Sequence, residues 1–334
     1  MKDTRGYRRI PLLAAVLAGV GLVATACGSS GPAVNAPPPS SHTATEISAT
    51  RSWLAATNQM WTEGNFAALN QVTTGEMRAV YAHEQQQDAS SSSRKLLQLA
   101  DLSVTIPCQS GPASIFVAYG DTDVFTLGQG MQPAAMIFQR TGGAWKLAAA
   151  VQMSGDGSSW PALCRQGTVP TPAAVLAPGG YAPDLARVLT AAMTGATMTT
   201  AAASPFTVNG FLAGSSSVTG QAAQWIRQDR TAGVSFNGVF TPAADATFAL
   251  PLASGGGYWL IGFLTQTNIH TAPSGYHKAD WPDGSTATTP SSAVLHHQTD
   301  TYITTYTAID PLRSSGGTVA LDGFFGWQLA TASS

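Results

Sequence analysis

Twice along this 334-residue chain a stretch with helical spacing gives way to a series of strand-like runs, and that order limits the fold more than any other feature. In the first half, apolar residues recur at three- and four-residue steps: Trp53, Leu54, Met60 and Trp61, then Phe66, Leu69, Val72, Met77, Val80 and Tyr81. The pattern predicts two helices over residues 46–84, parted at Glu63–Asn65. A serine run at Ser90–Ser93 interrupts it, and strand signals follow at Leu102–Cys108, Ala113–Phe125 and Pro133–Met153. The last of these predicts a hairpin turned at Gly142-Gly143. In the second half, helices are expected at Tyr181–Met193 and at Thr219–Gly233 with Thr219 as cap. Five strand-like runs then lead to the C-terminus. Helices first and an antiparallel meander after them make an α+β class.

The start of the chain bears on location. Lys2, Arg5, Arg8 and Arg9 precede an uncharged run from Ile10 to Ala26. This is the layout of an export signal, and the run is shorter than the roughly 20 apolar residues a spanning helix needs. The Val-Ala-Thr-Ala-Cys sequence ending at Cys27 resembles the lipobox of bacterial lipoproteins, although Ala24 stands where leucine is commoner. The resemblance implies cleavage before Cys27 and a thioether from its sulfur to diacylglycerol. Two or more acyl chains hold a protein firmly, whereas one holds it marginally. Residues 28–45 are mostly Gly, Ser, Pro and Ala, with no Lys, Arg, Asp or Glu and hardly any bulky apolar group, and cannot build a core, so a disordered tether over residues 27–45 is expected.

The remaining cysteines, Cys108 and Cys164, form an even pair in an oxidising compartment and are expected to be disulfide-bonded. Residues 1–26 carry four of the 16 basic and one of the 18 acidic residues, so the rest is acidic by about five charges. No basic stripe is present, which argues against nucleic acid as a partner. Charged residues make up only 10% of the chain, and polarity rests on hydroxyls. This composition resembles exported lipoproteins of actinobacteria.

The first half also resembles the nuclear transport factor 2-like (cystatin-like or SnoaL-like) cone, through the helix around Trp53, the helix after "EGNFAAL" and the hairpin "MIFQRTGGAWKLAAAVQM" with Trp145 past its turn. That resemblance implies helices packed on a curved antiparallel sheet with a concave mouth. The repeated order suggests two such cones in tandem, over residues 46–166 and 181–334, with a Pro-rich linker at 167–180.

No catalytic set is complete. His83-Glu84 opens like a zinc-protease helix, but Gln87 stands where the second histidine would be needed. Ser92–Lys95 has serine-lysine spacing without the accompanying motifs, and no G-x-S-x-G elbow occurs. Asp121 and Asp123, two apart, are expected on one face of a strand. His270, His297 and Asp300 form the densest candidate polar cluster, since neighbouring strands could join them. The segment Thr271–Ser292, with Tyr276 and Trp281, is read as a long contact loop. The tryptophans at periodic positions are expected in the core. No cofactor and no metal site is expected. The reading is a membrane-anchored envelope lipoprotein at the extracytoplasmic face, binding a protein partner or a small apolar or glycan ligand. The alternatives are an envelope enzyme with an acid-base residue in a cone, and a structural accessory of a membrane complex.

Overall fold

The computed structural model describes residues 41–87, 96–108, 113–124, 130–152, 161–164, 181–194, 196–208, 212, 218–231, 233–243, 248–253, 257–277, 294–311 and 318–333. Within them the chain is a mixed α+β structure with two antiparallel sheets. Cys27, the serine-lysine spacing at Ser92–Lys95, the linker at 167–180 and Trp281 lie outside the described residues. Among the described residues, no helix is long and apolar enough to cross a membrane.

The first half opens with α1 (Ser41–Glu63), α2 (Phe66–Val72) and α3 (Gly75–Gln87). Helix α1 starts five residues before the expected boundary at Glu46. It turns Thr50, Trp53, Thr57 and Met60 inward at three- and four-residue spacing. The buried hydroxyls of Thr50 and Thr57 donate to the carbonyls of Glu46 and Trp53 one turn back, which satisfies them without an outside partner. The break at Glu63–Asn65 stands where the sequence places it, with Asn65 capping α2 through Ala68 N. The expected second helix is in fact two. Thr73 is extended, at φ −122° and ψ 158°, and forms a bridge with Leu147, while Thr74 N donates to the Leu147 carbonyl at 2.9 Å. Backbone pairing to the sheet thus overrides a continuous helical pattern.

The first sheet runs in the order β1 (Leu99–Thr105), β2 (Ile115–Thr122), β3 (Gln132–Thr141), β4 (Ala144–Gln152). The β3–β4 turn is the expected one. Gly142 and Gly143 both have positive φ, 61° and 84°, which a two-residue hairpin of this twist requires. Helix α1 packs on this sheet through Trp53, edge-on to Phe138, which stacks on Phe116 at 4.6 Å.

The second half begins with α4 (Ala182–Met193), whose inward stripe of Leu185, Val188, Leu189 and Met193 was legible in the sequence. A short α5 (Thr200–Ala203), absent from the sequence reading, precedes α6 (Val218–Thr231). Thr219 lies inside α6 rather than capping it. The second sheet has the order β5 (Ser235–Pro242), β7 (Tyr258–His277), β8 (Val294–Asp310), β9 (Ala320–Ser333), and β6 (Phe248–Pro251) also pairs with β7.

One of two apolar clusters joins the two halves. Trp259, Ile261, Phe263 and Ile303 of the second sheet belong to the same buried cluster as Phe116, Met136 and Phe138 of the first, and Trp259 stacks on Tyr119 at 6.2 Å. The alternate residues of β7 and β8, Leu260, Leu264, Tyr306 and Ala308, face the other way and form a second cluster with α4. Cys108 and Cys164 are disulfide-bonded, with Cα atoms 5.3 Å apart. In that second cluster a side chain at Gly262 would place its Cβ within 2.7 Å of the Tyr306 ring. Gly262→Ala is therefore expected to lower stability by about 1–3 kcal/mol, measured as a shift in urea midpoint at unchanged slope.

Candidate functional site

Strand β7 carries Gln266, Asn268 and His270 at alternate positions, and so on one face. This is the face that holds Leu260 and Leu264 under α4 farther along the strand. Across the ladder, Asn268 pairs with Asp300 and His270 with Gln298, so a polar layer takes over where the apolar one stops. All five side chains are at most 5% exposed. Hydrogen bonds join them along each strand: Gln266 Nε2 donates to Asn268 Oδ1 at 3.0 Å, and Gln298 Nε2 donates to Asp300 Oδ2 at 2.8 Å.

Helix α6 adds the sixth member. Its last turn places the buried Asp229 carboxylate 2.7 Å from His270 Nδ1. The Asp300 carboxylate lies 3.8 Å from Nε2 of the same ring. Phe236, the β5 partner of His270, meets the imidazole edge to face at 5.1 Å. The ring is thereby fixed in position and orientation. Asp229 assigns a proton to Nδ1, and the ring presents Nε2 towards Asp300. Such a group can bind a polar molecule through many donors and acceptors, or pass a proton.

The structure brings His270 and Asp300 of the expected cluster together across neighbouring strands and leaves His297 apart from them. Residues 297 and 300 are three apart and so project from opposite faces of β8. His297 is exposed, and its Nδ1 lies 3.3 Å from Thr271 Oγ1. Asp229 escaped notice because it lies 41 residues before its partner. The signal was its place three residues after Ile226, on the inward stripe of an otherwise polar helix.

The paired-carboxylate expectation fails as well. Asp121 pairs with Pro133 in β2, whereas Asp123 lies past the strand end, buried, where its Oδ1 accepts from Gln98 N at 2.6 Å. The expected contact loop is shortened, because β7 continues to His277 and Tyr276 pairs with Leu295. Trp53 and Trp259 are fully buried, as core residues should be, while Trp61 and Trp145 are half-buried. Among the described residues, no group of three His, Cys, Asp or Glu side chains is arranged to hold a metal ion.

No protein-family model matches this chain, and no curated protein matches it in sequence.

Proposed function

We propose that the chain is an exported lipoprotein, held at the outer face of a cytoplasmic membrane through Cys27, whose second half binds a small polar molecule at His270, Asp229 and Asp300. The lipobox-like residues support the anchor, and the uncharged tether gives the folded part its distance from the lipid. In this reading the two helix-then-sheet halves are tandem cones, and the polar layer lies in the concave side of the second. The observation that carries the binding role is the burial of six polar side chains under a helix where apolar ones would cost nothing to hide. The polar character favours a hydrogen-bonding ligand over an apolar one.

The Asp229–His270 pair favours one second reading, acid-base catalysis at the same site, because a carboxylate-oriented imidazole is suited to proton transfer.

The test has two arms. Protein extracted from the membrane should begin at a lipid-modified Cys27, and Cys27→Ser should appear in the soluble fraction. Native mass spectrometry should find a small molecule on the wild type that Asn268→Leu no longer retains, with stability equal or higher. If the Leu variant instead loses stability and no ligand accompanies either protein, the layer is structural and the binding role is wrong.

A further inference from the structure

An open cavity of about 520 Å3 lies in the first half, far in sequence from the polar layer. Thr45, Ser48, Ala49 and Ser52 of α1 line one wall, and Val72 with Trp145 line the other. We propose that this cavity is a binding site for a neutral saccharide, independent of the His270 site.

Thr45, Ser48 and Ser52 follow helical spacing and so share one face of α1. Elsewhere on the same helix, Thr50, Thr57 and Thr62 each donate to the carbonyl four residues back. Among the described residues, Ser48 and Ser52 make no such bond, and both are exposed. Both line the cavity, so their hydroxyls remain available to a molecule bound there.

Trp145 supplies the opposing surface. It is half-buried and held from two sides: Phe116 meets it edge to face at 4.9 Å, and the Arg140 guanidinium carbon lies 5.9 Å from its ring centre. A fixed indole presents a large flat contact at little cost in side-chain entropy. No residue in the lining carries a charge. An anion would find no counter-charge in the lining itself, since the Arg140 guanidinium beside it is engaged with the Trp145 ring, and a purely apolar ligand would leave the hydroxyls without a role. A sugar ring has both an apolar C–H face for the indole and a rim of hydroxyls for the serines. The volume falls within the range of roughly 300–1,000 Å3 common to small-molecule sites.

The test is calorimetric titration of the full chain in detergent with cellotriose, chitotriose and maltotriose. Glucuronic acid and a peptide of residues 31–40 serve as comparisons. At least one neutral trisaccharide should bind with a dissociation constant on the order of 1 mM or tighter. Trp145→Ala should weaken it by at least about tenfold, and Trp145→Phe by less. The exposed double change Ser48→Ala with Ser52→Ala should weaken it several-fold at unchanged thermal stability, which separates lost contacts from a lost fold. The proposal is overturned if no trisaccharide binds at about ten times that concentration, if Trp145→Ala binds as well as the wild type, or if only the chain's own Pro-rich peptide binds. Changes at Asn268 or His270 should leave the titration unaltered, so this site and the polar layer stand or fall separately.

Discussion

Replacing Cys108 and Cys164 together by alanine is expected to lower stability by about 4 kcal/mol. The bond closes a loop spanning a sequence separation of 56, and chain entropy in the unfolded state sets the size of the effect. The location of the bond makes the loss more than entropic. Cys108 follows β1 of the first sheet, and its N–H donates to the Cys164 carbonyl at 2.8 Å. Cys164 N in turn donates to the Pro251 carbonyl at the end of β6, and Ala253 N donates to Ala162. The short segment 161–164 is therefore laid along the second sheet while covalently tied to the first. Without the bond, the segment keeps, among the described residues, these three backbone hydrogen bonds, each contributing about 1 kcal/mol net, and the burial of Leu163. Urea unfolding should show the drop in midpoint, and hydrogen exchange of the amides at positions 164 and 253 should accelerate before the rest of the second sheet. A variant within about 1 kcal/mol of the wild type would show that the tie is dispensable.

How far residues alone reveal this molecule depends on how local the cause is. The Gly142-Gly143 turn, the stripe on α4 and the break at Glu63–Asn65 depend on neighbours in sequence, and all three stand where the pattern puts them. The division of one expected helix at Thr73 depends on Leu147, 74 positions away, and no periodicity could announce it. The candidate site shows the same contrast. His270 and Asp300 are found by asking which strands are adjacent, and parity along β8 alone would have replaced His297 by Gln298. Asp229 required knowing that α6 crosses that end of the sheet. The shared core between the halves, through Trp259 and Tyr119, was likewise invisible, because a strand buried on both faces reads only as a long apolar run.

The second large effect concerns Asp322. Strand β9 shifts register between the pairs Thr307–Gly323 and Ala308–Leu321, and this bulge leaves Asp322 without a ladder partner. The bulge lies where the sheets approach, since the next residue, Gly323, faces Val151 and the Gln152 carbonyl of β4. Burial pushes the Asp322 carboxyl up to about 6, and the Thr307 hydroxyl and Trp259 indole beside it offset only part of that shift. Its Oδ1 meets no hydrogen-bond donor among the described residues. Because the folded value lies above the unfolded one, near 3.8, the folded state holds the proton more tightly. Below about pH 3 the group is protonated in both states and costs nothing. Stability then falls as pH rises through the window from about 4 to 6, and above it the full penalty applies, at most about 3 kcal/mol. Asp322→Asn keeps the shape and removes the charge. It should match the wild type at pH 3 and exceed it by up to that amount at pH 7.5, read as the difference in urea midpoints between the two proteins. Taking the difference cancels every other titrating group, because both proteins share them. An equal pH dependence in the two would mean that the carboxylate at the bulge is solvated well enough to ionise without strain, and that the junction of the sheets carries no buried charge at neutral pH.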